Sequence, residues 1–287
     1  MKSLITTLPA WLLLLTIGGS CKKEAIIEES APNLATCRVV REEHKGLGPV
    51  SRIPNPSSET VLVGTEVYTI YKYDETRYKY DERGRLIRSE GYGPDGKMEN
   101  FMERVYYSDR VQVRQKSLNS LNTTEFTILL NSQGDMYAQI HQNDTVYFEN
   151  IRYIKEGYEI VDTKNNGLLS VRSKRKNGNI IEQQVYSVLS GTFIHKYEYD
   201  TLRPAIPPVN FLRKDISRNL VTKFLLSVEG GSAFPTGPLH QTDYLYEFDK
   251  YGRVRRQIFN QKNIESGWGQ YVLGSRIAVF DYTYECP

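Results

Sequence analysis

Hydrophobic and polar residues alternate along short stretches of the chain, and residues with turn chemistry separate these stretches. Residues 105–113 and 125–130 alternate in this way, which puts every second side chain on one face of a β-strand. A glycine, then any residue, then an aliphatic or methionine residue recurs at Gly84, Gly96, Gly134, Gly178 and Gly252. Because glycine accepts the positive φ of tight turns, the pattern predicts a series of β-hairpins.

A tyrosine and aspartate motif accompanies these predicted hairpins. Tyr-x-Tyr-Asp occupies residues 71–74, 78–81 and 197–200, and Tyr-Glu-Phe-Asp occupies residues 246–249. Two aromatic residues two positions apart share one face of a strand. The motif aspartates Asp74, Asp81, Asp200 and Asp249 are predicted turn residues, since an aspartate side chain can bond its own backbone. A hairpin that recurs every 20–25 residues or so predicts a repeat architecture, whose units must pair side by side to bury a core.

Two regions interrupt the repeat. Residues 41–66 contain several Pro, Ser and Gly residues and are predicted to form an irregular lead-in. Residues 202–241 contain five prolines and are predicted to form a long excursion, since proline cannot donate to a sheet ladder. Inside this Pro-rich excursion a short helix and a strand over residues 221–227 compete, and the strand is favoured. Long structured excursions are common places for a functional site.

The N-terminal residues have the features of a targeting segment. Lys2 precedes the apolar residues 8–17, and this apolar run is too short for a stable membrane-spanning helix. Residues 18–21, Gly-Gly-Ser-Cys, resemble a bacterial lipobox, which implies a signal peptide over residues 1–20 and lipidation of Cys21. An ordinary secretory signal with a chance cysteine is the alternative. Residues 21–36 are expected to form a flexible tether between the lipid anchor and the domain at residues 37–287.

The remaining two cysteines lie at opposite ends of that domain. Cys37 and Cys286 could form a disulfide in a compartment beyond the inner membrane, or remain two separate buried thiols. The disulfide is favoured. Since it would close nearly the whole domain, the loop-entropy model gives it about 5 kcal/mol of stabilisation.

The motif at residues 78–86, Tyr-Lys-Tyr-Asp-Glu-Arg-Gly-Arg-Leu, resembles the YD (RHS-type) repeat. The wider layout over residues 60–286 resembles uncharacterised Bacteroidetes lipoproteins built from degenerate repeats of this kind. The resemblance implies an all-β fold: an antiparallel meander of successive YD-like hairpins that forms one extended, twisted sheet or an open barrel. It implies an outer-membrane lipoprotein of the cell envelope, on either the periplasmic or the surface side, and it implies no activity.

Composition and charge narrow the functional classes. The formal net charge is +3 and is spread along the chain, so no nucleic-acid partner is expected. The four histidines do not stand at metal-ligand spacing, and no nucleophile or phosphate-binding motif occurs. No catalytic residue, metal or cofactor is therefore predicted. The basic run at residues 172–176 is interpreted as a solvated face rather than an anion site.

Aromatic residues supply the remaining candidates for a site. The chain contains 21 tyrosines, which either form cross-strand ladders in the sheet or present a platform for a ligand. Trp268, between two glycines, and Tyr244 and Tyr246 are the candidate contact residues. The favoured hypothesis is a non-catalytic binding or structural module for a glycan or an envelope protein. The alternative is a hydrolase that acts on polysaccharide through an unrecognised carboxylate pair.

Overall fold

The structure is a computed structural model that describes residues 37–48, 56–118, 123–132, 134, 136–141, 144–147, 152–154, 157–161, 169–187, 191–207, 217–230, 236–263 and 276–286. These residues form one sheet of eighteen strands, and every strand pairing in it is antiparallel. The all-β prediction is confirmed. Over the same ranges the chain has no helix of the length and apolar character needed to cross a membrane.

The strands have the following bounds: β1 (Arg38–Leu47), β2 (Ser58–Val63), β3 (Glu66–Tyr80), β4 (Leu86–Tyr92), β5 (Met98–Tyr106), β6 (Arg110–Ser117), β7 (Thr123–Leu130), β8 (Met136–His141), β9 (Asp144–Tyr147), β10 (Arg152–Ile154), β11 (Gly157–Val161), β12 (Leu169–Lys176), β13 (Asn179–Ser187), β14 (Gly191–Pro204), β15 (Asn219–Glu229), β16 (Gly237–Phe248), β17 (Val254–Asn263) and β18 (Arg276–Glu285).

Most strands pair with their neighbours in sequence, as a meander requires. The runs β2 to β9 and β10 to β18 are each continuous series of antiparallel neighbours. The first strand joins the two series, because β1 pairs with β18 on one side and with β3 on the other. Among the described strands no register joins β9 to β10, so the sheet is open between them.

A disulfide closes this junction of the chain ends. Cys37 precedes β1, Cys286 follows β18, and the two are bonded across a sequence separation of 249 residues. The predicted bridge is therefore present. The predicted signal peptide, the lipidation site Cys21 and the tether all lie outside the described residues.

The prediction of an irregular lead-in is wrong for the residues described, and the predicted excursion consists largely of strands there. The lead-in at residues 41–66 contains most of β1 and all of β2. The excursion at residues 202–241 contains the end of β14, the whole of β15 and the start of β16, which confirms the strand predicted at residues 221–227. The sheet tolerates two of these prolines because neither interrupts a regular ladder of hydrogen bonds. Pro204 ends its strand, and Pro238 pairs beside a register shift, so no regular backbone donor is needed at either position.

The aspartates of two hairpins explain the turn motif. Asp81 accepts hydrogen bonds from the backbone N (2.8 Å) and Nε (2.7 Å) of Arg85, four residues later. Asp249 accepts the same two bonds from Arg253, at 3.0 and 2.6 Å. In both turns the intervening glycine has φ of 80°. The other two motif aspartates do not form hairpin turns, since Asp74 lies inside β3 and Asp200 inside β14.

Five tyrosines, three of them from the motif, satisfy backbone carbonyls at β-bulges. A bulge inserts an extra residue in one strand and so disrupts the ladder locally. At five register shifts, a tyrosine hydroxyl of the neighbouring strand donates to a carbonyl beside the shift: Tyr80 to Val39 (2.7 Å), Tyr106 to Leu86 (3.0 Å), Tyr199 to Ile180 (2.5 Å), Tyr246 to Val221 (2.6 Å) and Tyr284 to Val254 (2.8 Å). These five tyrosines are therefore parts of the hairpin architecture, since a buried carbonyl without a partner is costly.

Two hydrophobic clusters hold the described sheet together. One brings together β2, β3, β17 and β18 through Val61, Val63, Ile70, Ile258, Ile277 and Val279. The other joins β6 and β7 through Val111, Val113 and Ile128, with Met102 and Tyr106 packed against it. Burial of each of these side chains stabilises the fold by about 1.5–3 kcal/mol relative to exposure.

Candidate functional site

A pocket of about 580 Å³ opens over β12 to β15, and we call it the tyrosine pocket. It is lined by Lys176, Asn177, Asn179, Ile181, Tyr197, Tyr199, Thr201, Leu202, Pro204, Arg218 and Asn219. Its volume falls in the range of small-molecule sites. None of its lining residues carries a carboxylate, so it differs in charge from the rest of this mixed-charge protein.

The Tyr-x-Tyr-Asp motif of β14 contributes tyrosines but no carboxylate to the lining of the pocket. Tyr197 and Tyr199 lie two residues apart in β14 and share one face, and both line the pocket. Glu198 and Asp200 alternate with them and are not among the lining residues. Glu198 lies 3.7 Å from Lys223, and Asp200 lies 3.6 Å from Arg203. Each of these two acids therefore has a cation close to it.

A two-residue turn forms one end of the tyrosine pocket. Lys176 and Asn179 are cross-strand partners, and Asn177 and Gly178 connect them with φ values of 53° and 82°. Positive φ at both central residues is what a type I′ hairpin requires, and Asn-Gly is its preferred sequence. The turn brings the end of the basic run, at Lys176, to the edge of the pocket.

Residues 217–219 are fastened to this turn by hydrogen bonds. The backbone N of Arg218 donates to the carbonyl of Gly178 (3.2 Å), and the backbone N of Ile180 donates to Oγ of Ser217 (3.2 Å). Asn179 Nδ2 donates to Oδ1 of Asn219 (3.0 Å), and the backbone N of Asn219 donates back to Oδ1 of Asn179 (2.9 Å). The segment before β15 is therefore held in place, and with it the position of Arg218.

The tyrosine pocket has a buried base and an exposed rim. Asn179 is only 4% exposed, and burial raises the pKa of the Tyr199 phenol, which also bonds to Ser217 at 2.7 Å. At the rim, Lys176 and Arg218 are exposed, and Leu202 is 91% exposed. The pocket therefore combines aromatic and amide groups at its base with cations and an apolar side chain at its mouth.

The two rim cations have no carboxylate partner among the residues that the structure describes. The ion pairs found there include none with Lys176 or Arg218. The aliphatic part of Arg218 lies over the turn, where a Cβ added to Gly178 would meet its Cβ at 3.4 Å and its Cδ at 3.6 Å. An anion that enters the pocket would find both cations at the turn end of the site.

A second pocket, of about 420 Å³, lies over the same strands and contains carboxylates. Glu182 and Glu198 line it together with Lys174, Lys196 and Lys223. Ile181 and Tyr197 line both pockets, so the second pocket adjoins the tyrosine pocket. The two acids are interleaved with three lysines, which is typical of a charge-balanced surface.

Charged residues also gather where β1 meets β3 and β18, and we call this group the junction cluster. Its members are Arg41, Glu43, Lys45, Glu59, Lys72, Glu75, Arg77, Arg256 and Asp281. Glu75, whose side chain is 3% exposed, accepts from Arg41 (2.9 Å), Lys72 (2.6 Å) and Arg77 (2.6 Å). Burial opposes the ionisation of Glu75, but these three hydrogen bonds outweigh it and lower its pKa to about 2.

The structure distributes the predicted contact residues unevenly. Tyr244 packs against Phe259 with ring centroids 4.8 Å apart, and Tyr246 bonds to Val221, so neither lines the tyrosine pocket. Trp268 lies outside the described residues. In the described ranges no group of three or more His, Cys, Asp or Glu side chains could hold a metal ion.

Sequence reasoning missed the tyrosine pocket although most of its parts were noticed separately. Tyr197 and Tyr199 belong to the recognised motif, Lys176 ends the basic run, and Arg218 lies in the Pro-rich region. The Asn-Gly pair at residues 177–178 is a local signal for a tight hairpin. No sequence signal shows that residues 217–219 bond to that turn.

Comparisons with known proteins show similarity of fold alone. No protein-family model matches the sequence, and no curated protein matches it. The structure is similar to the crystal structure of a porin-like protein from Bacteroides uniformis ATCC 8492, with a TM-score of 0.52 and 14% sequence identity. The similarity covers 86% of this chain and 96% of that one, and at this identity it supports the β fold alone.

Proposed function

We propose that this protein is a lipoprotein of the cell envelope, anchored at Cys21, that acts as a non-catalytic binding module for a glycan or an envelope protein. The tyrosine pocket is its binding site. The observation that carries the proposal is a pocket with two tyrosine rings and two hydrogen-bonded asparagines at its base and no carboxylate in its lining. General acid or nucleophilic chemistry on a glycosidic bond would need carboxylates there.

Three further features support an envelope setting. The N-terminal residues resemble a lipobox, the Cys37–Cys286 disulfide suits an oxidising compartment, and the fold neighbour is described as porin-like.

The outer membrane is the proposed site of the anchor. Fractionation of cells that express the full chain or its Cys21→Ala variant tests this. We expect the wild-type chain to be found in the outer-membrane fraction and the Cys21→Ala variant to be absent from it. Equal retention of both would contradict the anchor.

Binding is tested with the full-length chain in detergent on a glycan array, beside Tyr197→Ala and the control Tyr137→Ala. Tyr137 is 36% exposed and lies in β8, away from the pocket. We expect specific glycan binding that Tyr197→Ala loses and Tyr137→Ala keeps, with thermal unfolding confirming that both variants fold. Binding that survives Tyr197→Ala would place the site elsewhere. Cleavage of a bound glycan would favour the hydrolase hypothesis instead.

A further inference from the structure

We propose that the tyrosine pocket takes an acidic oligosaccharide, a short chain of sugar rings that carry carboxylate groups. This inference rests on the proposed function and specifies its ligand class. A sugar carboxylate pairs with Lys176 and Arg218 at the turn end of the pocket, and the adjoining ring lies against Tyr197. The amide of Asn177 and the hydroxyl of Thr201 face the sugar hydroxyls.

The charge of the pocket selects an anion. Lys176 and Arg218 are exposed, lie at the same turn and have no acidic partner among the described residues. The neighbouring acids Glu198 and Asp200 do not line the pocket and lie 3.7 and 3.6 Å from cations of their own. An arginine guanidinium and a lysine ammonium both form charge-assisted hydrogen bonds with carboxylates. The lining contains no carboxylate that would repel such a ligand.

The surface beside the cations selects a ring. Tyr197 and Tyr199 line the pocket with their centroids 6.5 Å apart, and the exposed Leu202 stands at its mouth. The C–H face of a pyranose ring is apolar, so it packs on an aromatic ring while its hydroxyls reach polar groups at the edge. Polar and apolar groups lie side by side here, as such a ring requires.

The pairing of the strands argues against an extended acidic peptide. A peptide commonly binds a sheet by adding a strand to a free edge. Here β13 is paired with β12 and β14, and β14 is paired with β13 and β15, so the pocket has no free edge at its base. A ligand must lie on the face of the sheet, which suits rings better than a strand.

The site is also built to hold its cations in position. The backbone of Arg218 is bonded to Gly178, and the flanking residues Ser217 and Asn219 are bonded to the same turn. Lys176 is the last residue of β12 before the turn. Because the backbones of the two residues are attached to one turn, this part of the backbone is ordered before a ligand arrives, which lowers the entropic cost of binding.

The test is isothermal titration calorimetry on the full-length chain in detergent. The probes are tetrasaccharides of galacturonate, mannuronate and the chondroitin backbone, each beside its methyl ester, which removes the charge and keeps the rings. Tetraglutamate serves as the acidic peptide. Variants are Lys176→Gln and Arg218→Gln. The control is Arg114→Gln, because Arg114 is 54% exposed and loosely paired with Glu125 at 3.7 Å on distant β6.

We expect at least one acidic tetrasaccharide to bind more tightly than its ester by about tenfold or more, the size of one lost charge-assisted contact. Each of the two pocket variants should weaken that binding by about tenfold, and Arg114→Gln should leave it unchanged. Added salt should weaken the binding of the acidic probe and leave the binding of its ester unchanged, since screening acts on exposed charges.

The outcomes separate the ligand class from the function. Equal binding of acids and esters, with loss in Tyr197→Ala, would overturn the acidic class and leave the proposed binding function intact. Tighter binding of tetraglutamate than of any saccharide would overturn the saccharide class. If no acidic tetrasaccharide binds, the inference fails, and if no array glycan binds either, the glycan version of the proposed function fails with it.

Discussion

The junction cluster and the tyrosine pocket both concentrate cations on one sheet, yet they use them in opposite ways. In the junction cluster, Arg41, Lys72 and Arg77 converge on the buried carboxylate of Glu75. In the pocket, Lys176 and Arg218 have no acidic partner among the described residues. Charges of the first kind are committed to the fold, and charges of the second kind are available to a ligand.

The comparison shows that density of charge alone does not identify a site. The junction cluster lies where the first and last strands meet, so its ion pairs fix the register of the closing pairings β1–β3 and β1–β18. The pocket lies over strands that pair with their sequence neighbours, where local hairpins already fix the register. Mutations at the junction should therefore affect stability, and mutations at the pocket rim should affect binding.

The largest expected effect is loss of the disulfide at the junction. The double variant Cys37→Ser, Cys286→Ser should lose about 5 kcal/mol of unfolding free energy, because the bridge closes a loop of nearly the whole domain. Urea denaturation of the variant checks this, and the reduced wild type should unfold at the same urea concentration as the variant. A loss below about 1 kcal/mol would mean that the ion pairs and strand pairing hold the junction without the bridge.

Next in size is the removal of the central carboxylate of the junction cluster. Glu75→Gln should lower the unfolding free energy by about 3 kcal/mol, because three cations then face one another without their shared anion. The control Glu125→Gln, at a residue whose side chain is 72% exposed, should change it by less than about 0.5 kcal/mol. Equal effects of the two variants would contradict the distinction between charges that stabilise the fold and charges that are available to a ligand.

The same carboxylate should give a pH signature. Because the folded pKa of Glu75, about 2, lies below the ordinary value of 4.5, the unfolded chain takes up this proton first as the pH falls. Its stabilisation is complete above about pH 4.5 and is lost as the pH falls towards about 2. The difference in unfolding free energy between wild type and Glu75→Gln should shrink over that window. A difference that stays constant would contradict the lowered pKa.

A smaller effect is expected where a tyrosine satisfies a bulge. Tyr284→Phe keeps the ring but leaves the carbonyl of Val254 without the 2.8 Å hydrogen bond, so it should cost about 1–2 kcal/mol. Tyr137→Phe, at an exposed position, is the matched control and should cost almost nothing. If both substitutions are neutral, the tyrosine repeat is not explained by the bulges.

The smallest effect on stability is expected at the pocket rim. Lys176→Gln and Arg218→Gln should change the unfolding free energy by less than about 0.5 kcal/mol, because both side chains are exposed and lack an acidic partner in the described ranges. Chemical denaturation measured beside the calorimetric titrations checks this. A loss of more than about 1 kcal/mol on removal of either cation would show that this charge stabilises the fold and is not available to a ligand.

Local patterns predicted the hairpins well and the site poorly. The turns at Gly84 and Gly252, the strand at residues 221–227 and the all-β class follow from turn chemistry and period-two alternation, which act over a few residues. The strands β1 and β2 were missed because the prediction gave weight to nearby Pro, Ser and Gly residues. The strands that pair with β1 and β2 could not be recognised from the sequence and were given no weight. Asp74 and Asp200 were misassigned because a motif does not reveal whether a strand continues beyond it.

The sequence by itself determined the units of this protein: hairpins with glycine turns, aspartates in two of those turns, tyrosines on one strand face, and two cysteines at the ends of one domain. Only the tertiary structure decided how the units meet. It placed β1 between β3 and β18, directed five tyrosines to bulges in neighbouring strands, and bonded residues 217–219 to the turn at Gly178. The reason is physical: turn and alternation signals are local, whereas these contacts join residues distant in sequence, and an alternating strand can pair with many partners.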